Sequence, residues 1–333
     1  MDLHRPTLGD LDGDGDLDLV LGSDHVEHLQ YYPNNGKPTS PSYVAKITVE
    51  DNPLDGMMCV GQCGVALGDL DGDGVLDLIV SWDVDDATGG DSTLHLLILG
   101  TFRTDFGGFG ENIPTFAAIT GAANPYATVS AHPQNFPALG DLDGDDDLDL
   151  VLCYEGQSTI FYHENQGSET SPAFVEATGA NNPFEGIELA YHPDGSDNYP
   201  ALADLDGDDD LDIAIGTKIA DGTRSLTYYE NTGTKASPTF ESRDGDENPF
   251  DELDPGEVTG IAFADVDGDY DFDLVVGSNS NDVGVVYFEN VGSATAPTYE
   301  EITDSGNPFD IDFDDFDLSG TAPALGDIDS DGE

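Results

Sequence analysis

Short apolar runs, each entered from a stretch of alternating aspartates, set the rhythm of this chain: LDLVLG, LDLIVS, LDLVLC, LDIAIG and FDLVVG. Each is nearly continuous in apolar residues, as expected of a strand buried on both faces. Upstream of each acidic stretch lies a shorter apolar lead, as in RPTLGD, FPALGD and YPALAD. Downstream comes an aromatic segment ending in a turn: YYPNNG at Tyr31, YHENQG at Tyr162, YYENTG at Tyr228 and YFENVG at Tyr287. A further segment (SPSYV, IPTFA, SPAFV, SPTFE, APTYE) then leads to an Asn-Pro turn at Asn52, Asn124, Asn182, Asn248 and Asn307. The order per unit is apolar strand, acidic loop, apolar strand, aromatic strand, turn, fourth strand and loop. No stretch shows a sustained helical period with caps.

Counted from the first aspartate of each loop, the units start at 10, 69, 141, 204, 265 and 327, spaced 59, 72, 63, 61 and 62 residues apart. One supersecondary unit per repeat follows. Four short strands per unit of about 60 residues, in tandem, predict an all-β fold, the blades of a β-propeller. Blades bury their faces against neighbours, so one unit is not expected to fold alone. The expected blades are residues 4–62, 63–134, 135–198, 199–259 and 260–320, five complete repeats, with a partial sixth at 321–333. The sixth stops before its second strand, as expected of a segment of a longer protein. In the second unit the stretch from Leu94 to Pro114 replaces the aromatic turn with a Gly- and Phe-rich segment, read as a longer loop that has drifted in length.

The acidic loops carry the candidate chemistry. Alternating carboxylates on a loop tightened by glycine converge several oxygens on one point, and hard oxygen ligands in that number suit Ca²⁺. An EF-hand would need a bidentate acid at the twelfth position, where this chain has Leu21, Val80, Leu152, Gly216 and Val276. The recurring acid lies instead at the ninth position: Asp18, Asp77, Asp149, Asp212 and Asp273. Side-chain ligands are therefore expected at positions one (Asp10, Asp69, Asp141, Asp204, Asp265), three (Asp12, Asp71, Asp143, Asp206, Asp267), five (Asp14, Asp73, Asp145, Asp208, Asp269) and nine. Position seven is Asp16, Val75, Asp147, Asp210 and Asp271, and because a valine is accepted there, a backbone carbonyl is the expected ligand. Asp327, Asp329 and Asp331 open the sixth loop.

These residues resemble the FG-GAP and VCBS repeats, the first of which build the seven-bladed propeller of integrin α subunits. The resemblance implies one blade per repeat, with about one Ca²⁺ in the loop joining the first two strands of each complete blade. Fold does not fix function.

Composition narrows the partners. With 70 acidic residues against 8 Lys plus Arg, the formal net charge is −62, which disfavours nucleic acid and anionic membrane surfaces and favours cations. The 38% hydrophobic content, with 13 Tyr and 16 Phe, still supplies a core. No window approaches the roughly 18 apolar residues of a membrane-spanning helix. Met1 is followed by an acidic segment, so no targeting signal is expected in the segment. Of three cysteines, Cys59 and Cys63 are close enough to close a small loop, and Cys153 is expected as a packed thiol.

The seven histidines (His4, His25, His28, His95, His132, His163, His192) occupy non-equivalent places and read as surface or loop residues. No nucleophile, zinc or phosphate-loop spacing occurs, and no enzyme activity is expected. The leading expectation is an extracellular or cell-surface calcium-binding structural or adhesive repeat protein that mediates surface interaction or assembly, with fibre formation as one form and a protein or glycan partner. One alternative is a lectin-like propeller using Trp82, Tyr126 or Tyr191 between blades. The other is a non-catalytic scaffold segment of a larger secreted enzyme. Without an Asn-x-Ser/Thr sequon, N-glycans are not expected, whereas the segments near Ser40, Ser171, Ser237 and Thr295 suit O-glycans.

Overall fold

A computed structural model describes residues 4–15, 17–23, 29–35, 42–43, 54, 57, 63–85, 91–104, 112–119, 124–125, 129, 135–168, 171–189, 197–218, 225–280, 283–303, 307 and 322–325. The second, third, fourth and fifth units each form a four-stranded antiparallel meander in chain order. They comprise β4 (Gly64–Gly68), β5 (Asp77–Asp85), β6 (Asp91–Thr104) and β7 (Asn112–Ile119); β8 (Asn135–Gly140), β9 (Asp149–Tyr154), β10 (Phe161–Asn165) and β11 (Phe174–Glu176); β12 (Asn198–Ala203), β13 (Asp212–Thr217), β14 (Leu226–Asn231) and β15 (Phe240–Arg243); and β16 (Val258–Ala264), β17 (Asp273–Ser280), β18 (Val283–Asn290) and β19 (Tyr299–Glu301).

Among the described residues the first unit shows β1 (His4–Gly9), β2 (Asp18–Ser23) and β3 (Gln30–Tyr32), followed by a bridge, Asn34 to Tyr43. Pro33 has no amide to give to the ladder and ends β3. The rest of its expected fourth strand lies outside the described residues. The second unit departs from the expectation. Where a long loop was expected from Leu94 to Pro114, β6 runs to Thr104 and pairs with β7 from Leu97↔Ile119 to Thr104↔Asn112. The aliphatic run LHLLILG extends the hairpin in place of a loop.

The sheets are arranged as a propeller. The first strands β1, β4, β8, β12 and β16 pack side by side in sequence order. They surround a cavity of about 110 Å³ to which Arg5, Val65, Phe136, Tyr199, Ile261 and Pro323 contribute, one from each of the six units. The Arg5 guanidinium stacks over the Phe136 ring at 4.3 Å, and Phe136 meets Tyr199 edge-on at 4.4 Å. Side chains from successive units thus line and narrow this central space.

Second strands are the most buried, as their apolar runs predict: every residue of β9 and β13 is inside. The Asn-Pro turns have a role beyond turning. In the three turns whose following residue is described, a large apolar residue, Leu54, Phe184 or Phe250, is buried between neighbouring sheets. Phe184 stacks on Phe240 of the next sheet at 4.4 Å and meets Tyr162 of its own edge-on at 6.2 Å. Asn182 Oδ1 accepts from the Phe184 amide at 2.9 Å, and Asn248 does the same for Phe250, so the asparagine sets the angle at which the wedge enters.

Cys63 is disulfide-bonded and Cys153 is a free, fully buried thiol. Cys59, the expected partner of Cys63, lies outside the described residues. Among the described residues no helix is long and apolar enough to cross a membrane.

Candidate metal centres

Each acidic loop is shaped by its own first aspartate. Asp141 Oδ1 accepts from the amides of Gly144 (2.7 Å) and Asp145 (3.2 Å), and Oδ2 from Asp146 (3.3 Å). Asp10, Asp204 and Asp265 repeat this pattern in their loops. The chain can fold so tightly because two positions take the left-handed conformation. Position four is glycine in the five complete loops, with φ between 67° and 81°. Position six is Gly15, Gly74, Asp146, Asp209 and Tyr270, with φ between 68° and 92°. Glycine and aspartate accept that region readily, and a tyrosine does not.

The ninth aspartate pins the loop to the third strand. Asp149 Oδ2 accepts from the Leu142 amide (3.0 Å) and the Tyr162 hydroxyl (2.8 Å), while Oδ1 accepts from the Asn165 amide (2.8 Å). Asp18, Asp212 and Asp273 make the same three bonds, to Leu11, Tyr31 and Asn34; Leu205, Tyr228 and Asn231; and Val266, Tyr287 and Asn290. Burial raises the pKa of each of these phenols well above its ordinary value, so it stays a donor. The asparagine side chain completes the clasp: Asn165 Oδ1 accepts from Gly167 and Ala173, closing the turn into the fourth strand. The recurring Tyr-x-x-Asn spacing is the partner of the acidic loop, a pairing that the sequence reading left unassigned. In the second unit the ladder position of Tyr162, which pairs with Val151 in the third, is held by Leu97, paired with Ile79.

With Oδ2 taking two donors and Oδ1 one, the ninth carboxylate keeps one acceptor site, on Oδ1, for another ligand. The third position behaves differently. Asp143 Oδ1 and Asp206 Oδ1 are buried without a hydrogen-bond partner, as are Asp69 Oδ1 at position one and Asp210 Oδ1 and Asp271 Oδ1 at position seven. Burial, reinforced by neighbouring aspartates, lifts Asp12 to about 7 and Asp143, Asp210 and Asp271 to about 6. Asp149 and Asp212 rise to about 7, chiefly through burial. Buried, mutually repelling carboxylates with unpartnered oxygens are the environment that a hard cation reverses.

Part of the expected ligand set comes together: positions one, three and nine in four loops, without position five, and positions one, three and five in the fifth, without position nine. Oxygens of Asp10, Asp12 and Asp18 lie within 4.8 Å of one another, as do those of Asp69, Asp71 and Asp77; Asp141, Asp143 and Asp149; and Asp204, Asp206 and Asp212. In the fifth loop the cluster is Asp265, Asp267 and Asp269. These clusters fit a metal ion. At position seven the side chains of Asp210 and Asp271 are themselves buried with an unpartnered oxygen, so that position offers a carboxylate as well as its carbonyl. Val75 fills it with a buried apolar side chain. Asp16, Asp327, Asp329 and Asp331 lie outside the described residues. So do Tyr126 and Tyr191, and of Trp82 only its place in β5 is described.

His163 contradicts the surface reading of the histidines. It is 1% exposed in β10, with neither ring nitrogen hydrogen-bonded, and burial lowers its pKa to about 4. The equivalent positions hold Tyr229 and Phe288, so it is a core residue.

Comparison with known proteins agrees with this construction. Residues 10–80 and 141–215 match the model of the FG-GAP-like repeat, the first stretch spanning the first two acidic loops and the second the next two. Those two stretches are similar to FG-GAP-like repeats. No curated protein matches it. One solved structure, titled as the basis of specific recognition of non-reducing terminal N-acetylglucosamine by an Agrocybe aegerita lectin, is similar at 17% identity and a TM-score of 0.46, over 91% of this chain and 80% of that one. Similarity at that level informs neither the fold nor the ligand.

Proposed function

We propose that this FG-GAP-like propeller is an extracellular calcium-binding structural protein, whose loops are held by one Ca²⁺ per complete repeat and whose surface serves interaction or assembly. The observation that supports it is the set of buried carboxylate oxygens without hydrogen-bond partners at repeating loop positions. Leaving such oxygens dry is costly unless a cation takes them. An all-oxygen donor set suits Ca²⁺ over softer metals. Positions one and three are the side chains best placed to hold it, joined by position nine in the first four loops and by position five in the fifth, while position nine also orients the loop.

Loops without a bidentate acid suit weak sites of the kind found in extracellular modules. The disulfide at Cys63 fits an oxidising compartment. We assign the chain no catalytic role.

Calcium titration with terbium luminescence and thermal melting tests this reading. About five ions per chain are expected, with a melting temperature that falls by ten degrees or more in excess chelator, since metal binding to such loops is folding free energy. Unchanged melting in chelator together with no terbium signal would falsify it.

A further inference from the structure

In the fourth and fifth units the turn between the third and fourth strands packs on the acidic loop of the unit before it. At the seam between the third and fourth units the turn residue is Lys235. Its side chain lies against Gly144, and its Nζ reaches Asp141 Oδ2 at 2.9 Å and Asp146 Oδ1 at 3.9 Å. At the next seam the equivalent residue is Ala294, which lies against Gly207 as Lys235 lies against Gly144. Nothing there reaches Asp204, and the space is a groove of about 290 Å³.

The groove differs from its neighbour in its rim. Tyr270 stands at loop position six, where the other loops have glycine or aspartate, in the left-handed conformation at φ 71° and 87% exposed. A bulky aromatic there is strained, and such strain marks function more often than packing. Phe272, at the position held by leucine in the other four loops, is also exposed. Asp204 and Asp265 face the same space, together with Asp271, which is buried and has an unpartnered Oδ1.

We infer that the groove between the fourth and fifth blades binds the ammonium group of a lysine side chain presented by a partner polypeptide. Carboxylates at the base would take the charge, as Asp141 takes Lys235, and Tyr270 and Phe272 would cover the aliphatic stem and offer cation–π faces. The acidity of the chain steers basic partners toward it and repels anionic ones. Asp204 and Asp265 are also candidate metal ligands, so the amine and the ion draw on the same carboxylates, and amine binding is expected to be weaker in calcium than in chelator.

Nα-acetyl-lysine methylamide is the probe, titrated into the full chain carrying isotope-labelled tyrosine and phenylalanine, first in saturating calcium and then in chelator. The expected result is a saturable shift of the Tyr270 and Phe272 ring signals, weakened in high salt and absent for the Nε-acetylated probe. Ala294→Lys supplies in this seam the lysine that Lys235 supplies in the one before, and is expected to abolish binding while keeping the melting temperature. Tyr270→Gly restores the residue found in the first two loops and is expected to weaken binding by about ten-fold. Equal binding of the acetylated probe, retention of binding in both variants, or occupancy by a neutral monosaccharide in place of the amine would each overturn the inference. Loss of calcium binding with the ring shifts intact would overturn the metal reading alone.

Discussion

The Tyr162 hydroxyl donates to Asp149 Oδ2 at 2.8 Å, joining the third strand of a blade to the end of its acidic loop. Both groups are buried, and burial raises both pKa values, so the donor stays protonated and the acceptor is costly to leave short of partners. Tyr162→Phe keeps the ring and removes only the donor. It is expected to lower stability by about 1–3 kcal/mol in denaturant titrations, the usual cost of a buried charged acceptor losing a partner. A neutral result would mean that the loop is held by its backbone bonds and metal alone.

His163 sits among the buried residues of β10 with a pKa lowered to about 4. Its folded pKa lies below the unfolded value, so between pH 6.5 and 4 the unfolded chain binds more protons and stability falls with acidification. His163→Phe installs the residue that Phe288 provides two blades on and removes an unbonded polar ring from the interior. The variant is expected to melt higher than the parent, with the gap widening from pH 7 to pH 5. A gap that is constant with pH would show that the imidazole does not titrate in this range.

The loop carboxylates pull in the opposite direction. Asp12, Asp149 and Asp212 are raised to about 7 by burial, so without metal the folded state binds more protons than the unfolded one between about pH 4 and 7. Their stabilising contribution is present at low pH and lost as pH rises through 7. In chelator, in the His163→Phe background, the melting temperature is therefore expected to rise on acidification from pH 8 to pH 5. In saturating calcium the slope reverses, because protons compete with the ion for the same oxygens. A chelated protein that melts lower at pH 5 than at pH 8 would show that these carboxylates are ionised throughout.

Much of this architecture was legible because each signal recurs. The alternating aspartates and apolar runs located the loops and second strands, and the Asn-Pro turns marked where each unit ends. What a single repeat cannot reveal is pairing in space. Tyr162 and Asn165 stand 13 and 16 residues from Asp149, and only the folded meander brings all three together. The wedge role of Phe184 depends on Phe240 in the next unit, and the groove at Tyr270 depends on Ala294 not being a lysine. His163 misled for a related reason: beside the acidic Glu164 it reads as polar surface, whereas its strand alternation turns it inward.

Packing between blades also sets which small residue can precede each loop. A Cβ on Gly140 would lie 2.8 Å from Leu211 Cδ1 and 3.0 Å from Leu202 Cδ1 of the next blade, and Gly9 and Gly68 meet the equivalent leucines in the same way. The fourth unit carries Ala203 at this position, and the fifth unit, next to it, carries Phe263 and Phe272 where the others have leucine. The fifth unit also carries alanine, Ala264, before its loop. Gly140→Ala is expected to cost about 1–3 kcal/mol through overpacking. Adding Leu211→Val, which shortens the clashing branch, should recover part of that loss, so the double variant is more stable than the sum of the single effects predicts. Strict additivity in equilibrium unfolding would show that the two positions do not meet.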